Sequence, residues 1–327
     1  MEQRKVGRTD LTISAIGLGC VTFGREIDEH TSYQMLDYAV EQGINWVDTA
    51  EAYGGGNARA YRRNFMNVED ERETSGEMGS SEKVLGRWLQ TRGCRDQVII
   101  CTKVSSGNSP ENIKRALQAS LQSLQTDYID IYKLHGPDAD VPIGETLALL
   151  HEQVDQGVVK TIGCSNFSGA QLREALDVSA ANGWTRFEIT QPAYNLATPA
   201  VQEDVFPLCH EEELAVTPFS PLGAGFLTGK YSPGQEQFPQ GSRFDVIPAH
   251  ADDYFSERNF RVVEQLRRKS EETGESMVRL AMAWAMTHPD VTSVLVGTRK
   301  KEHIDNALEA LQMGLAVELR AEMSAWD

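Results

Sequence analysis

The chain has 327 residues, 40% of them hydrophobic and 24% charged, the balance of a folded globular protein rather than of a disordered, collagenous or disulfide-scaffold chain. Against 31 Lys and Arg stand 48 Asp and Glu, a net charge of −17, so nucleic acid and anionic membranes are repelled and any anionic ligand needs a local cationic patch. No apolar run follows Met1-Glu2-Gln3-Arg4-Lys5 and none reaches the ~18 residues that span a bilayer, so neither a secretory signal nor a membrane helix is expected. The cysteines (Cys20, Cys94, Cys101, Cys164, Cys209) are odd in number and form no Cys-x-x-Cys pair, which predicts a reduced, cytoplasmic protein.

In chain order, residues 5–14 predict a β-hairpin, turning at Gly7 and Thr9-Asp10. Short β-branched and apolar runs follow at 15–18, 44–47, 98–101, 129–132, 159–163, 187–190, 215–218 and 293–296, each succeeded by a segment with helical spacing. Ile113, Leu117, Leu121 and Leu124 share one helical face, as do Leu147, Leu150 and Val154, then Leu172, Ala175 and Leu176, then Ile304, Ala307, Leu308 and Leu311. At ~150 residues per domain the length suits two domains, or one α/β barrel. Repeated βα units with no linker between them favour a single (β/α)8 TIM barrel over 1–327, the hairpin plugging one end; a two-layer α/β sandwich is the alternative.

Two connections break the regular spacing. Residues 57–79 carry Arg59, Arg62, Arg63 and Arg72, five acids, and the aromatics Tyr61 and Phe65; residues 221–256 are rich in Gly and Pro and precede a helix over 257–273. Connections of this length read as rim loops that bind or cover.

Barrel chemistry sits at the carboxyl ends of the strands. There the sequence places Asp48, Lys103, His135, the pair Ser165-Asn166, and Gln191. Singly, each has a plainer reading as a cap, a turn former or a solvated residue. Their equivalent positions in successive βα units join them. A tyrosine near them, Tyr53, is a poor acid at its usual pKa of ~10 unless an ammonium such as Lys103 stabilises the phenolate, with Asp48 keeping that lysine charged. Neutral His135 would orient a carbonyl oxygen. Together these groups suit proton delivery to an oxygen. No metal is expected, since there is no His-Glu-x-x-His and the histidines are scattered; Gly-x-Ser-x-Gly is missing, and Gly17-Leu18-Gly19 lacks the Rossmann spacing. A hydrolase using Glu188 and Asp48 would leave Tyr53, Lys103 and Ser165-Asn166 without roles.

The sequence resembles the aldo-keto reductase family from about Val6 to Leu311. The resemblance is carried by Gly43-Ile44-Asn45-Trp46-Val47-Asp48-Thr49-Ala50 with Tyr53-Gly54, by Cys101-Thr102-Lys103 and by Asp130-Ile131-Tyr132-Lys133-Leu134-His135. Three further matches are Gly163-Cys164-Ser165-Asn166-Phe167, Gln191-Pro192-Ala193-Tyr194-Asn195 and Pro218-Phe219-Ser220-Pro221-Leu222-Gly223. It implies Tyr53 as proton donor, Lys103 and Asp48 as its tuning pair, and His135 as the orienting residue. Ser165, Asn166 and Gln191 would hold the nicotinamide carboxamide, and Phe219 would stack on the ring where tyrosine is common. Gly19 and Cys20 would lie near the cofactor, and the loop from Ser220, Pro221, Leu222 and Gly223 to Lys230 would fold over the pyrophosphate.

Gly297-Thr298-Arg299-Lys300-Lys301 brings three cations to a helix N-terminus, which suits the 2′-phosphate of NADPH. His303 and Asn306 complete the implied cofactor set, the asparagine one position earlier than in many relatives. The implied activity is reduction of a small-molecule aldehyde or ketone by an NADPH-dependent oxidoreductase. The alternative is a non-catalytic, cofactor-sensing subunit like the potassium-channel β subunits, which resemble this fold. The 57–79 insertion would overhang the carbonyl site, where Arg62 and Arg63 would meet a polar or anionic substrate.

Overall fold

The structure, a computed structural model, describes residues 1–56, 77, 79–235 and 237–327. Two short strands, β1 (Gln3–Lys5) and β2 (Thr12–Ser14), pair antiparallel as the expected hairpin, beginning two residues earlier than the sequence suggests. All eight predicted strand runs then form: β3 (Ile16–Gly19), β4 (Trp46–Asp48), β5 (Ile99–Val104), β6 (Ile129–Leu134), β7 (Val159–Ser165), β8 (Ile189–Gln191), β9 (Ala215–Val216) and β10 (Val294–Gly297). β9 ends before the expected 218 because Pro218 has no N–H to give to a ladder.

These strands form one parallel sheet in the order β10-β3-β4-β5-β6-β7-β8-β9. The circle closes where Leu295 N donates to Pro218 O at 2.9 Å and Thr292 N to Val216 O at 2.8 Å. Burial on both faces leaves every residue of β6 buried, the charged Asp130 and Lys133 included. The intervening helices cover the outside: α1 (Glu29–Glu41), α2 (Ser80–Arg92), α3 (Pro110–Leu124), α4 (Ile143–Asp155), α5 (Gly169–Asn182) and α6 (Val201–Glu211), with α7 (Arg243–Val246), α8 (Glu257–Thr273), α9 (Met277–Met286), α10 (Lys301–Met313) and α11 (Val317–Ser324). The predicted stripes face inward, with Ile113 and Leu117 of α3 and Leu172, Ala175 and Leu176 of α5 buried. Local signals set the helix starts: Ser109 caps α3 ahead of Pro110, and Ser168 with Gln171 forms a capping box on α5.

Inside the barrel lies a second, smaller core of Val6, Ile13, Trp46, Cys101, Ile131, Ile189, Ala215 and Leu295. Val6 and Ile13 come from the hairpin and its turn, so the hairpin does plug the lower mouth. Side chains on a strand alternate between faces, so the inward neighbours of this floor lie two residues on: Asp48 above Trp46, Lys103 above Cys101, Lys133 above Ile131, Gln191 above Ile189 and Thr217 above Ala215. A dry floor thus carries a buried polar layer.

The connection over 221–256 is no open loop. It contains a 3-10 stretch (Gly223–Thr228) and α7, and it builds its own aromatic cluster, with Tyr231 and Phe244 centroids 4.8 Å apart and those of Phe226 and Phe260 5.2 Å apart. Its aromatics fall at no regular spacing, so periodicity does not reveal them.

Packing of the floor leaves no room beside Trp46. A Cβ added to Gly17 would sit 2.2 Å from the indole ring. Gly17→Ala is therefore expected to lower unfolding free energy by about 1–3 kcal/mol in urea titration, with unchanged m-value.

Candidate active site

Tyr53 follows the end of β4 and is held through its backbone. Its N–H donates to Ala50 O at 3.0 Å and its carbonyl accepts from Ser81 N at 3.3 Å, at the start of α2. This approach requires the next residue to be glycine: Gly54 has φ +106°, and a Cβ there would lie 2.1 Å from Ser80 Oγ and 2.7 Å from Ser81 N. The Tyr-Gly pair in the sequence thus reflects a turn jammed against a helix N-terminus.

Beside it the Lys103 side chain is fully buried. Its ammonium donates to Asp48 Oδ1 at 2.5 Å and to Thr49 O at 2.6 Å, and lies 4.7 Å from the centroid of the Tyr53 ring. Two of three donors are committed, and the remaining charge acts on Tyr53. Burial would lower Lys103, but Asp48 and then Tyr53 hold it above the usual lysine range. Burial would likewise raise Asp48, but Lys103 and then Lys133 hold its carboxyl below the usual range. For Tyr53 the balance differs from the sequence expectation. Burial raises the phenol above its ordinary range and outweighs the downward pull of Lys103, so the group stays protonated at neutral pH.

His135 follows β6, its ring edge-on to that of Tyr53 at 5.4 Å. Nδ1 lies 2.6 Å from Ser105 Oγ, and the backbone carbonyl accepts from Asn166 Nδ2 at 2.9 Å. Burial, then the Lys103 ammonium, push the imidazole down to about 3, so it is neutral as expected.

The implied cofactor residues lie around the same mouth. Ser165 Oγ donates to Gln191 O at 2.7 Å; Gln191 Nε2 donates to Asp48 Oδ2 at 2.8 Å and is committed to the carboxylate as much as to any ligand. Asn166 is exposed at φ +61°. Phe219 is half-buried over the barrel interior, and Ser220 and Gly223, at φ +56° and +55°, open the 3-10 stretch that leads past Pro221 and Leu222 to Lys230. Gly19 and Gly297 are paired neighbours at the ends of β3 and β10. The Cys20 thiol is fully buried, 3.6 Å from Leu18 O, and burial and then Asp48 push it far above the usual thiol range. Arg299 donates to Gly241 O at 2.7 Å, which ties the rim loop to the start of α10, while His303 Nδ1 accepts from Arg299 N at 3.3 Å and Asn306 Nδ2 donates to Glu302 O at 2.8 Å.

A family model for the aldo/keto reductase family matches residues 15–325. This chain belongs to that family. An uncharacterized oxidoreductase, YrpG, of Bacillus subtilis is 29% identical, the match covering 98% of this chain and 94% of that one. A probable voltage-gated potassium channel subunit beta of rice (Oryza sativa subsp. japonica) is 30% identical over 96% and 92% of the two chains, and an NADH-specific methylglyoxal reductase of Escherichia coli 27% identical over 97% and 95%. The chain is an NAD(P)H-dependent oxidoreductase of the aldo/keto reductase family.

Two polar residues at this aldo/keto reductase site escape the sequence reading. Lys133, fully buried, lies two residues before His135 and so points to the same face; that spacing is the available signal. Arg243 sits on α7 in the rim loop, where no period marks it, and its charge reaches Tyr53. The hydrolase alternative fails on geometry. Glu188 accepts from Arg8 N at 2.9 Å and packs on Gly7 at the plugged end, opposite the mouth that holds Asp48. Nearly all of the 57–79 segment, with Arg62 and Arg63, lies outside the described residues.

Two outcomes follow from the geometry. Gly54→Ala should displace Tyr53 and lower kcat/KM for carbonyl reduction by ~100-fold, and should also lower the melting temperature, since the new Cβ meets backbone at positive φ. On acidification, the unfolded chain protonates His135 near its ordinary ~6.5, whereas the folded chain holds it at about 3. Its stabilising contribution is therefore complete above the unfolded value and lost as pH falls toward the folded one; Asp48, held low, adds loss below ~3.9. Melting temperature should drop between pH 7 and pH 4, and less steeply in His135→Asn.

Proposed function

We propose that this protein reduces a small aldehyde or ketone to the alcohol with NADPH, working as one barrel unit in the cytoplasm, with Tyr53 as the proton donor. The observation that carries the reading is the buried Lys103 ammonium, fixed to Asp48 at 2.5 Å and facing the Tyr53 ring at 4.7 Å, beside a neutral His135. The five cysteines, all free and buried, fit a reducing compartment.

The chemistry of the donor set fits a dinucleotide. Lys230, Arg243 and Arg299 converge on one side of the mouth: burial and then Arg299 lower Lys230, and burial and then Arg25 lower Arg243 to about 10. Cations that depress one another are relieved by an anion between them, as a pyrophosphate would be. Ser165 and Asn166 would hold the carboxamide, Phe219 the ring face, Arg299 the 2′-phosphate. When bound, the nicotinamide supplies the hydride.

The chain's own residues do the rest. His135, one nitrogen facing Ser105, turns the other to the carbonyl oxygen and fixes its orientation. Tyr53, kept protonated by burial, gives its proton to that oxygen as negative charge develops. Lys103 stabilises the phenolate left behind, and Asp48 keeps Lys103 charged. General acid catalysis of this kind contributes typically 10²–10⁴-fold.

The test is Tyr53→Phe, expected to cut turnover of a reactive aldehyde by ~1,000-fold while the dissociation constant for NADPH stays within about threefold; a variant with the unaltered rate overturns Tyr53 as the acid. Arg299→Ala should raise KM for NADPH by ~10–100-fold and leave that for NADH nearly unchanged, since only NADPH has the phosphate. The similarity to the rice channel subunit favours one second reading, a cofactor-sensing subunit with the same residues; absence of turnover over an aldehyde panel, with NADPH bound, would establish it.

A further inference from the structure

The proton-transfer cluster contains one more charge than the proposed chemistry uses. β5 and β6 are paired so that Lys103 and Lys133 are direct register neighbours, and both side chains are fully buried. Asp48 is divided between them: Oδ1 takes Lys103 at 2.5 Å, while Oδ2, already bonded to Gln191, lies 3.7 Å from Lys133 Nζ. The other partners of Lys133 are weak for an ion inside a protein, Thr217 Oγ1 at 3.5 Å and the Trp46 ring at 5.5 Å. The thiols of Cys101 and Cys164, which also feel its charge, stay neutral: burial raises each to about 12.

At Tyr53 the stabilising pull of Lys103 is opposed in part by the Asp48 carboxylate. With a second lysine on the same carboxylate the cluster holds two positive charges and one negative, and the Asp48 charge that opposes Lys103 is shared with Lys133. We propose that Lys133 is a positioning residue of the proton-transfer site, dividing Asp48 with Lys103 so that an unneutralised positive charge stands behind Tyr53 and stabilises its phenolate. The proposal rests on Tyr53 being the acid. Among the described residues, the charged and titratable groups facing Tyr53 are Lys103 on β5, Asp48 on β4, His135 after β6 and Arg243 on α7. Of these only Lys103, Asp48 and His135 share the barrel interior with Lys133. The neutrality of His135 agrees with the same excess, since both lysines disfavour its protonation.

The decisive variants are Lys133→Met, which keeps the length and removes the charge, Lys133→Gln as a second neutral replacement, and Lys133→Arg, which restores charge. Tyr53 ionisation is read in the full chain as the phenolate absorbance difference between each background and its Tyr53→Phe counterpart, by rapid alkaline pH jump from neutral stock. In parallel, the alkaline limb of kcat/KM for aldehyde reduction is recorded. Removing one charge at this range should raise the ionisation midpoint by about one unit, a tenfold change in proton affinity, in both neutral variants, with the kinetic limb moving the same way. Lys133→Arg should return the midpoint to within about 0.3 unit of the unaltered protein.

An unmoved midpoint in the neutral variants overturns the proposal, whatever happens to rate or stability. So does failure of both neutral variants to fold when Lys133→Arg folds, because that assigns Lys133 a structural role only. The absorbance midpoint needs no turnover. An unaltered protein without reductase activity therefore overturns the reductase reading, and an unmoved midpoint in an active enzyme overturns this inference alone.

Discussion

Everything chemical in this barrel depends on an ammonium held in a place where an isolated one would not stay charged. Moving an ion out of water costs several kcal/mol even after relaxation, and the cost is offset only by close, well-directed partners. Lys103 has them in Asp48 Oδ1 and Thr49 O at 2.5 and 2.6 Å. Both belong to the end of β4 and the turn after it, the segment that carries Tyr53. The ammonium and the phenol are therefore placed by one stretch of backbone, residues 48–53. Ser81 and Gly54 extend the constraint to α2, which makes the turn a rigid mount rather than a loop.

A polar layer of this kind needs a foundation that excludes water. The floor of Trp46, Cys101, Ile131, Ile189 and Leu295, closed below by Val6 and Ile13, provides it. Because inward side chains recur every second residue, the apolar floor and the polar layer are separated by one step along each strand: the lower position packs and the next one carries a polar group. The same arithmetic explains why buried lysines can exist here at all. They rise from strands anchored by an apolar layer, and the open mouth above them lets the reacting groups meet a ligand.

The fold was legible because parallel barrel strands are buried on both faces and appear as compact apolar runs, and because the helices show their stripes through residues such as Ile113 and Leu172. Asp48, Lys103, His135, Ser165 and Gln191 were legible as polar residues in the one place where an apolar run stops. Lys133 was hidden by that logic, since it lies inside the β6 run and its meaning depends on pairing with Lys103 across a register that no single strand displays. Arg243 and the aromatic cluster of 221–256 were hidden because packing among irregular segments leaves no period. For Cys20, position near a strand end does not say which face a side chain takes, and its thiol is buried. The net direction for Tyr53 also needed coordinates, because burial and a neighbouring cation oppose each other and only their relative strength decides.

The cationic mouth and the acidic surface are parts of one arrangement. At physiological ionic strength the Debye length is about 8 Å, so acids on the outer helices are largely screened from the mouth, while Lys230, Arg243 and Arg299 act there at short range. A polyanion must approach the whole surface, with its net charge of −17, and is repelled. A small anion at the concave mouth would meet the local cations first. In the proposed function, cations placed at the rim would select for size as well as charge, and the ammonium groups of Lys103 and Lys133 lie deeper in the barrel, where negative charge would develop on an oxygen beside Tyr53.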